Sequence, residues 1–491
     1  MRAIQPHRLA ALPLALAPFL LALMCQAASG AIPDSHAQVL KLVDQSSASY
    51  IETSRRIWEH PELGYQEVTS SAVLQAALRK DGFTVTSPVA DEPTGFIATY
   101  GEGKPVIAIL GEFDALPGLS QDTVPERKVL TEGGPGHACG HNLLGSGAAL
   151  AAVALREFME KNHVKGTLRY YGTPAEEGGD GKVYMLRAGL FKDTDVVLQW
   201  HPGDRNAVSN GGMLAIVSAK FIFHGVAAHA AMAPERGRSA LDAVMLMGTG
   251  IEYLREHVPS NTRIHYIVSK GGVAPNVVPD LAELYLMARS PDLGTLDDVW
   301  ARLQKIAQGA GLMTETQLET KVMGGDANIL GNDVLAKVAQ RNLEQVGGLR
   351  YTQAEKQFAL ELQKTLPPGA VRPLETSEKV EPLTPFDPDA PAASTDVGDV
   401  SWNFPTIGFD TATFVPGVSP HTWQAAASAG MSIGQRGMVV AAKAMALTGA
   451  DLLASPQLVA DAHKEFERQL RGRQYRSFIP DGQKPPLDYR R

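Results

Sequence analysis

The densest chemistry in the chain lies in one stretch, His137-Ala138-Cys139-Gly140-His141-Asn142. A thiolate at 139 and an imidazole at 141 can both reach one metal centre if the backbone between them turns tightly. Gly140 permits that turn because it lacks the Cβ that restricts φ and ψ. Thiolate and imidazole are donors that suit zinc and related divalent ions. A Cys-x-His pair alone reads equally well as a buried thiol beside a capping histidine. The metal reading therefore depends on partners elsewhere in the chain.

Those partners recur where apolar runs end. Val106-Ile107-Ala108-Ile109-Leu110 is short and unbroken, which suits a strand buried on both faces. It leads into Gly111-Glu112-Phe113-Asp114. A second strand, 168–173, leads into Pro174-Ala175-Glu176-Glu177, and a third, 196–200, into His201-Pro202. In open α/β sheets, sites form outside the carboxyl ends of strands. Three successive strand ends thus bring Glu112 and Asp114, Glu176 and Glu177, and His201 to one edge, with the Cys/His pair between them in sequence. Adjacent glutamates at such a corner point in different directions, so one can bind a metal while the other stays free to take a proton. Each group also has a bland reading. Glu112 and Asp114 could be loop carboxylates facing water, and the paired glutamates an acidic helix start favoured by the macrodipole.

The same periodicity predicts the elements that position these groups. Residues 35–81 read as two helices around a loop at His60-Pro61, packed on a sheet, and Leu143–Phe158 as a small-residue helix. From 212 to 325 the texture changes. Strand 214–223, helix 239–257, strands 264–268 and 281–287, a helix from 293 and strand 318–322 make a compact α+β unit. That unit carries His229 in Gly225-Val-Ala-Ala-His229, Asn276 in Gly271-Gly-Val-Ala-Pro-Asn276, and Arg289 at a strand end. Helix 332–346 follows, then a proline-dense stretch, 365–391, that forbids regular structure. His421 sits in the rigid loop Val415-Pro-Gly-Val-Ser-Pro-His421. A small-residue helix (432–453), an amphipathic helix (455–471) and an irregular tail close the chain. His224, His265 and His463 read as structural or exposed, and Asp399 stays open.

A chain of 491 residues with 44% apolar and 20% charged residues fits a soluble globular enzyme of two domains. Its formal charge of -8 argues against nucleic acid as a partner. Arg2, His7 and Arg8 precede the apolar run Leu9–Met24 and the small residues 27–31, the layout of a cleaved secretory signal. A membrane anchor is the alternative; Pro13 and Pro18 favour cleavage, with no stable membrane insertion afterwards. The expected location is therefore periplasmic or secreted. Cys25 would leave with the signal, so Cys139 would be the one thiol in an oxidising compartment. It could form no internal disulfide, and metal ligation would shield it.

Together, Gly111-Glu-Phe-Asp-Ala-Leu-Pro-Gly, His137-Ala-Cys-Gly-His-Asn, Pro174-Ala-Glu-Glu-Gly-Gly, Trp200-His-Pro, Ala228-His-Ala-Ala, Gly272-Val-Ala-Pro-Asn-Val-Val-Pro-Asp and Pro420-His resemble a known family. It is the metal-dependent aminoacylase/carboxypeptidase amidohydrolase family, which includes hippurate hydrolase and the plant auxin-conjugate hydrolases. The resemblance spans residues 40–450 in collinear order. It implies an α/β fold: a zinc-peptidase-like catalytic domain (31–211 and 326–455) interrupted by an α+β lid and dimerisation domain (212–325), after a leader at 1–30 and before a C-terminal extension at 456–491. It further implies that Cys139, His141, Glu177, His201 and His421 ligate two divalent ions, manganese or zinc. Glu176 would be the general base, and His229, reaching in from the lid, would stabilise the oxyanion. Asn276 and Arg289 would bind the substrate's carboxylate. Many relatives carry Asp where this chain has Glu112, so Glu112 and Asp114 are placed behind the ligands.

The expected activity is hydrolysis of N-acyl or N-aroyl amino acids, such as aminobenzoyl-glutamate-like conjugates, by a homodimer or hetero-oligomer joined through the lid. An exported carboxypeptidase or dipeptidase is the alternative within the same chemistry. A non-catalytic metal-binding subunit is the alternative outside it, and Glu176 beside Glu177 speaks against that, because a pure binder needs no free base.

Overall fold

The apolar run at 106–110 becomes a central strand of the larger of two sheets. The computed structural model describes residues 35–385, 387 and 393–490. The expected leader and Cys25 lie outside the described residues.

The first part of the chain forms α1 (Ser35–Glu59), α2 (Val68–Lys80), β1 (Thr84–Thr86), β2 (Phe96–Glu102), β3 (Val106–Glu112), α3 (His141–Asn162), β4 (Gly166–Thr173), α4 (Gly181–Arg187), β5 (Val196–Leu198), β6 (His201–Gly203) and β7 (Ala207–Ser209). An inserted unit follows, with β8 (Ala215–His224), α5 (Ala240–Arg255), β9 (Arg263–Lys270), β10 (Leu281–Ser290), α6 (Leu293–Thr314) and β11 (Gln317–Asp326). The chain then returns through α7 (Asp333–Val346), α8 (Gln353–Gln363), α9 (Val397–Ser401), β12 (Thr406–Ala412), α10 (Trp423–Gly430), α11 (Ser432–Ala454) and α12 (Pro456–Leu470).

The larger sheet has the order β1-β2-β4-β3-β5-β12-β6, with β7 on β12. β3 pairs in parallel with β4 and β5, so Glu112, Thr173 and Leu198 end at one edge. Every residue of β3 is buried. Ile107 and Ile109 join α3 and α11 on one face; Ala108 and Leu110 meet Met185, Phe191 and Val400 on the other. This two-sided burial is why the run shows no alternation. Small residues let α3 lie close on the sheet: a Cβ at Gly145 would sit 2.6 Å from the Glu112 carbonyl oxygen, and one at Gly147 2.9 Å from Trp200.

Three features differ from the sequence expectation. α1 packs against α3 and α11 instead of on the sheet, because the small-residue faces of those helices receive Val39, Leu42, Val43 and Tyr50. β1, β2, β7, β12, α4, α8, α9 and α10 lie where the sequence reading predicts no element. The proline-dense stretch holds one short 3-10 turn, Leu374–Glu378, among its described residues. α11 is long and apolar enough to cross a membrane, but 78% of its most apolar window is buried inside the protein. Its apolarity serves packing.

The inserted unit is a four-stranded antiparallel sheet, β11-β8-β10-β9, with α5 and α6 on one face. Along β10, Ala282, Leu284, Leu286 and Ala288 enter that unit's core. Glu283, Tyr285, Met287 and Arg289 alternate onto the open face. Ser239 and Asp292 cap α5 and α6 by accepting the backbone N–H three residues on.

Candidate metal centre

The centre is assembled by loops leaving the shared strand edge. Gly140 has φ +77°, and a Cβ there would lie 2.8 Å from Pro202. That close approach presses Cys139 and His141 against the His201-Pro202 corner. Cys139 Sγ lies 3.4 Å from His201 Nε2. Ala175, with φ +56°, turns the chain off β4 so that Glu176 and Glu177 diverge; its N–H donates to the buried Glu67 carboxylate at 2.8 Å. His421, with φ +61°, donates its backbone N–H to the Ala138 carbonyl at 2.9 Å. This tie holds the Gly/Pro loop beside Cys139 and sets His421 Nε2 3.2 Å from Glu177 Oε1. Left-handed backbone at two non-glycine residues is strain of the kind retained at functional sites.

The donor atoms of Cys139, His141 and His201 lie within 4.8 Å of one another, as do those of Cys139, Glu177 and His421. The thiol belongs to both groups. A third group joins Glu112, His141 and Glu176. His201, placed after a strand by the sequence reading, instead opens the short β6, whose parallel pairing with β12 fixes it opposite Asp410.

Asp114 organises the donors from behind. Its Oδ1 is 2.8 Å from His141 Nδ1, and its Oδ2 accepts the Glu177 N–H at 2.9 Å. One carboxylate therefore orients an imidazole and a glutamate loop together. It also leaves His141 Nε2 aimed inward, where it faces Glu112 Oε2 at 3.2 Å; these two atoms and Glu177 Oε1 are buried and make no contact of hydrogen-bond geometry. Unpaired buried polar atoms are destabilising, and bound cations would satisfy those of His141 and Glu177, which belong to separate donor groups sharing Cys139. The donor set of one thiol, three imidazoles and a carboxylate fits zinc or a related divalent ion.

Burial and the Glu177 charge push the Cys139 thiol well above its usual range. Burial disfavours the His141 imidazolium, but Cys139 and Asp114 outweigh it and push that pKa up. A divalent cation held there would reverse both tendencies. Burial, then Glu112 and Glu177, push the half-buried Glu176 carboxyl well above the carboxylate range.

Sequence reasoning missed Lys182. It is fully buried, with Nζ 2.7 Å from Glu112 Oε1 and 2.6 Å from Asp396 Oδ1. Burial opposes ionisation of Glu112, but Lys182 and then His141 overcome it and hold that carboxyl below its usual range. Asp396 shares the same ammonium and is pushed up to about 6 by burial. Glu112 is thus an inward-facing charge 3.2 Å from His141 Nε2, not a loop carboxylate facing water.

The lid residues stand apart. His229 is exposed, and its Nδ1 accepts the N–H groups of Ala231 and Met232, each at 3.2 Å, which puts the proton on Nε2. The exposed Asn276 lies beside it, its carbonyl accepting the Ala230 N–H at 3.0 Å. Arg289 is half-buried on the lid's open face, opposite Ile216 and Arg263. Among the described residues, no hydrogen bond or ion pair joins any of these three to the centre.

Residues 213–312 match the peptidase dimerisation domain. The chain is 39% identical over 467 residues to the B-type subunit of p-aminobenzoyl-glutamate hydrolase from Escherichia coli (strain K12), covering 90% of this chain and 97% of that protein. Leu116-Pro-Gly-Leu-Ser and Asn142-Leu-Leu-Gly carry a resemblance to that protein in particular. Identity to the mouse Xaa-Arg dipeptidase is 28% over 455 residues, covering 88% of this chain and 92% of that one. A solved Bacillus subtilis protein, a dinuclear metal binding peptidase of the M20 family, shares the fold with a TM-score of 0.58 and 19% identity over 84% of this chain and 99% of that one. With a matched dimerisation domain set into a mixed α/β sheet, and 39% identity across nine-tenths of its length to one member, the chain belongs to the metal-dependent aminoacylase/carboxypeptidase amidohydrolases of the M20 peptidase family, hydrolases of linear amides.

Proposed function

We propose that this protein hydrolyses the amide bond of N-acyl or N-aroyl amino acids, p-aminobenzoyl-glutamate-like conjugates among them, and releases the free amino acid. Two divalent ions, manganese or zinc, would be held by Cys139, His141, Glu177, His201 and His421. The observation that carries this reading is the convergence of those donors with an uncommitted carboxylate, Glu176, beside them. When bound, such ions lower the pKa of water to about 7 and polarise the scissile carbonyl.

The chain's own residues supply the rest. Glu176 takes the proton from the attacking water and passes it to the leaving amine, a role worth roughly 10²–10⁴-fold. Asp114 keeps His141 and the Glu177 loop in register. His229 offers Nε2–H to the carbonyl oxygen as negative charge develops. Its exposed place at the lid tip suits entry into the site of a neighbouring protomer, in a homodimer or hetero-oligomer. Asn276 and the Arg289 fork receive the substrate's carboxylate. The Leu9–Met24 run supports export to the periplasm or medium.

Similarity to a dipeptidase favours one second reading, an exported dipeptidase or carboxypeptidase. A panel of N-aroyl amino acids and dipeptides, run on metal-reconstituted protein, separates the two by kcat/KM. On the preferred substrate, Glu176→Ala should lower kcat by roughly 10²–10⁴ while leaving metal content unchanged. Near-full activity would remove Glu176 from the role of base.

A further inference from the structure

The segment after α12 has no regular structure, yet it is fixed every few residues. Arg473 bonds Asp292 at 2.8 Å and lies 4.6 Å over the Trp402 ring. The Tyr475 hydroxyl donates to Asp399 at 2.5 Å. Phe478 enters the lid's core, the Pro480 carbonyl accepts from Arg187 at 3.0 Å, and Gln483 donates to the Val322 carbonyl at 3.4 Å. The strap therefore runs along the joint between lid and catalytic sheet. It delivers Tyr489 and Arg490 to the loop that bears Glu177. Tyr489 meets Tyr65 edge-on, and Arg490 Nη2 donates to the Glu177 carbonyl oxygen.

There the two side chains wall a cavity of about 330 Å³. Glu177 lies on its catalytic side, and Ser218, Tyr285 and Met287 of the lid's open face lie opposite. Arg490 is the sole Lys, Arg or His among the described residues lining it, and its Nη1 is buried without an acceptor. A guanidinium with one nitrogen tied and the other orphaned is half of a bidentate carboxylate clamp. The acidic groups nearby do not complete it. Asp180 accepts the Gly325 N–H at 3.1 Å, and neither Asp180 nor Asp326 bonds Arg490.

We propose that Arg490 is a specificity residue that receives a carboxylate of the substrate's amino-acid half. This rests on the hydrolase reading above, and it adds a cation from the chain's C-terminal strap to the one, Arg289, already expected from the lid. Without Arg490, the ionisable groups left on the wall are the carboxyls of Glu177, Asp180 and Asp326 and the phenols of Tyr285 and Tyr489, which disfavour an anion.

The test compares p-aminobenzoyl-glutamate with its diamide, in which both carboxylates are neutral. Arg490→Ala should raise KM for the diacid about tenfold or more, as expected for a lost charge-assisted hydrogen bond, with kcat little changed. The diamide should be affected less than about twofold. Arg490→Lys keeps the charge without the fork and should fall between. Calorimetric binding of both compounds to Glu176→Ala and to Glu176→Ala/Arg490→Ala reads the same discrimination without turnover. Failure of hydrolysis is thereby distinguished from failure of carboxylate recognition. Equal weakening of diacid and diamide, or no weakening of either, would overturn the proposal.

Discussion

Lys182 sets the charge balance beneath the centre. Its ammonium is fully buried between Glu112 and Asp396, and both carboxyls lose their counter-charge if it goes. Breaking a buried ion pair from one side costs about 3–5 kcal/mol. Lys182→Met should therefore lower unfolding free energy by about that amount in denaturant titration, and adding Glu112→Gln should recover part of it. An unchanged midpoint would mean that the pair contributes nothing. Residues of this kind were not legible in the sequence. Cys139, His141, Glu176, Glu177 and His201 announce themselves, because a thiol, imidazoles and acids at strand ends are chemistry by type and position. Lys182 sits in Gly181-Lys182-Val183, which reads as solvated, and its partner Asp396 is 214 residues away. Glu67, whose carboxylate ties down the Ala175 turn, was hidden in the same way, since burial of a charge is decided by tertiary neighbours.

At the scale of elements, legibility followed how each segment is buried. β3 was readable because both its faces are covered and its run is unbroken. The lid's strands and helices were readable because each has one wet face and so keeps its period. β12 was not, because Gly408, Asp410 and Thr411 interrupt Thr406–Ala412, and its place between β5 and β6 comes from pairing. α8 did carry a signal: Thr352 and Glu355 form a capping box, the T-x-x-E pattern of a helix start. The turn at Gly140 gives this scale its test. Gly140→Ala places a Cβ 2.8 Å from Pro202 in a left-handed conformation, at a cost of about 1–2 kcal/mol before any clash is relieved. The expected outcome is a lower melting temperature together with weaker metal binding, because the thiol and the imidazole are displaced as a unit. A variant less stable but with undiminished metal affinity would mean that the turn does not position the donors.

For the whole molecule, the question is how the exposed His229 reaches chemistry that its own chain places elsewhere. If it enters the site of a neighbouring protomer, His229→Ala and Glu176→Ala should each be inactive alone, yet co-expression should restore activity. Random pairing of a twofold dimer yields about a quarter of intact sites. No recovery would confine His229 to its own chain or remove it from the reaction. His229, Asn276 and Arg289 all fall in the inserted stretch between β8 and β11, but distance between units is not a local property and could not be read from the pattern. The proposed chemistry stands or falls with the pair of ions, and elemental analysis of purified protein after dialysis against manganese or zinc tests that pair most directly. Two ions per chain are expected, with loss of both in Cys139→Ala, since that thiol belongs to both donor groups, and loss of one in His421→Ala. One ion or fewer per chain in the unaltered protein, or an unchanged count in Cys139→Ala, would contradict the two-ion centre.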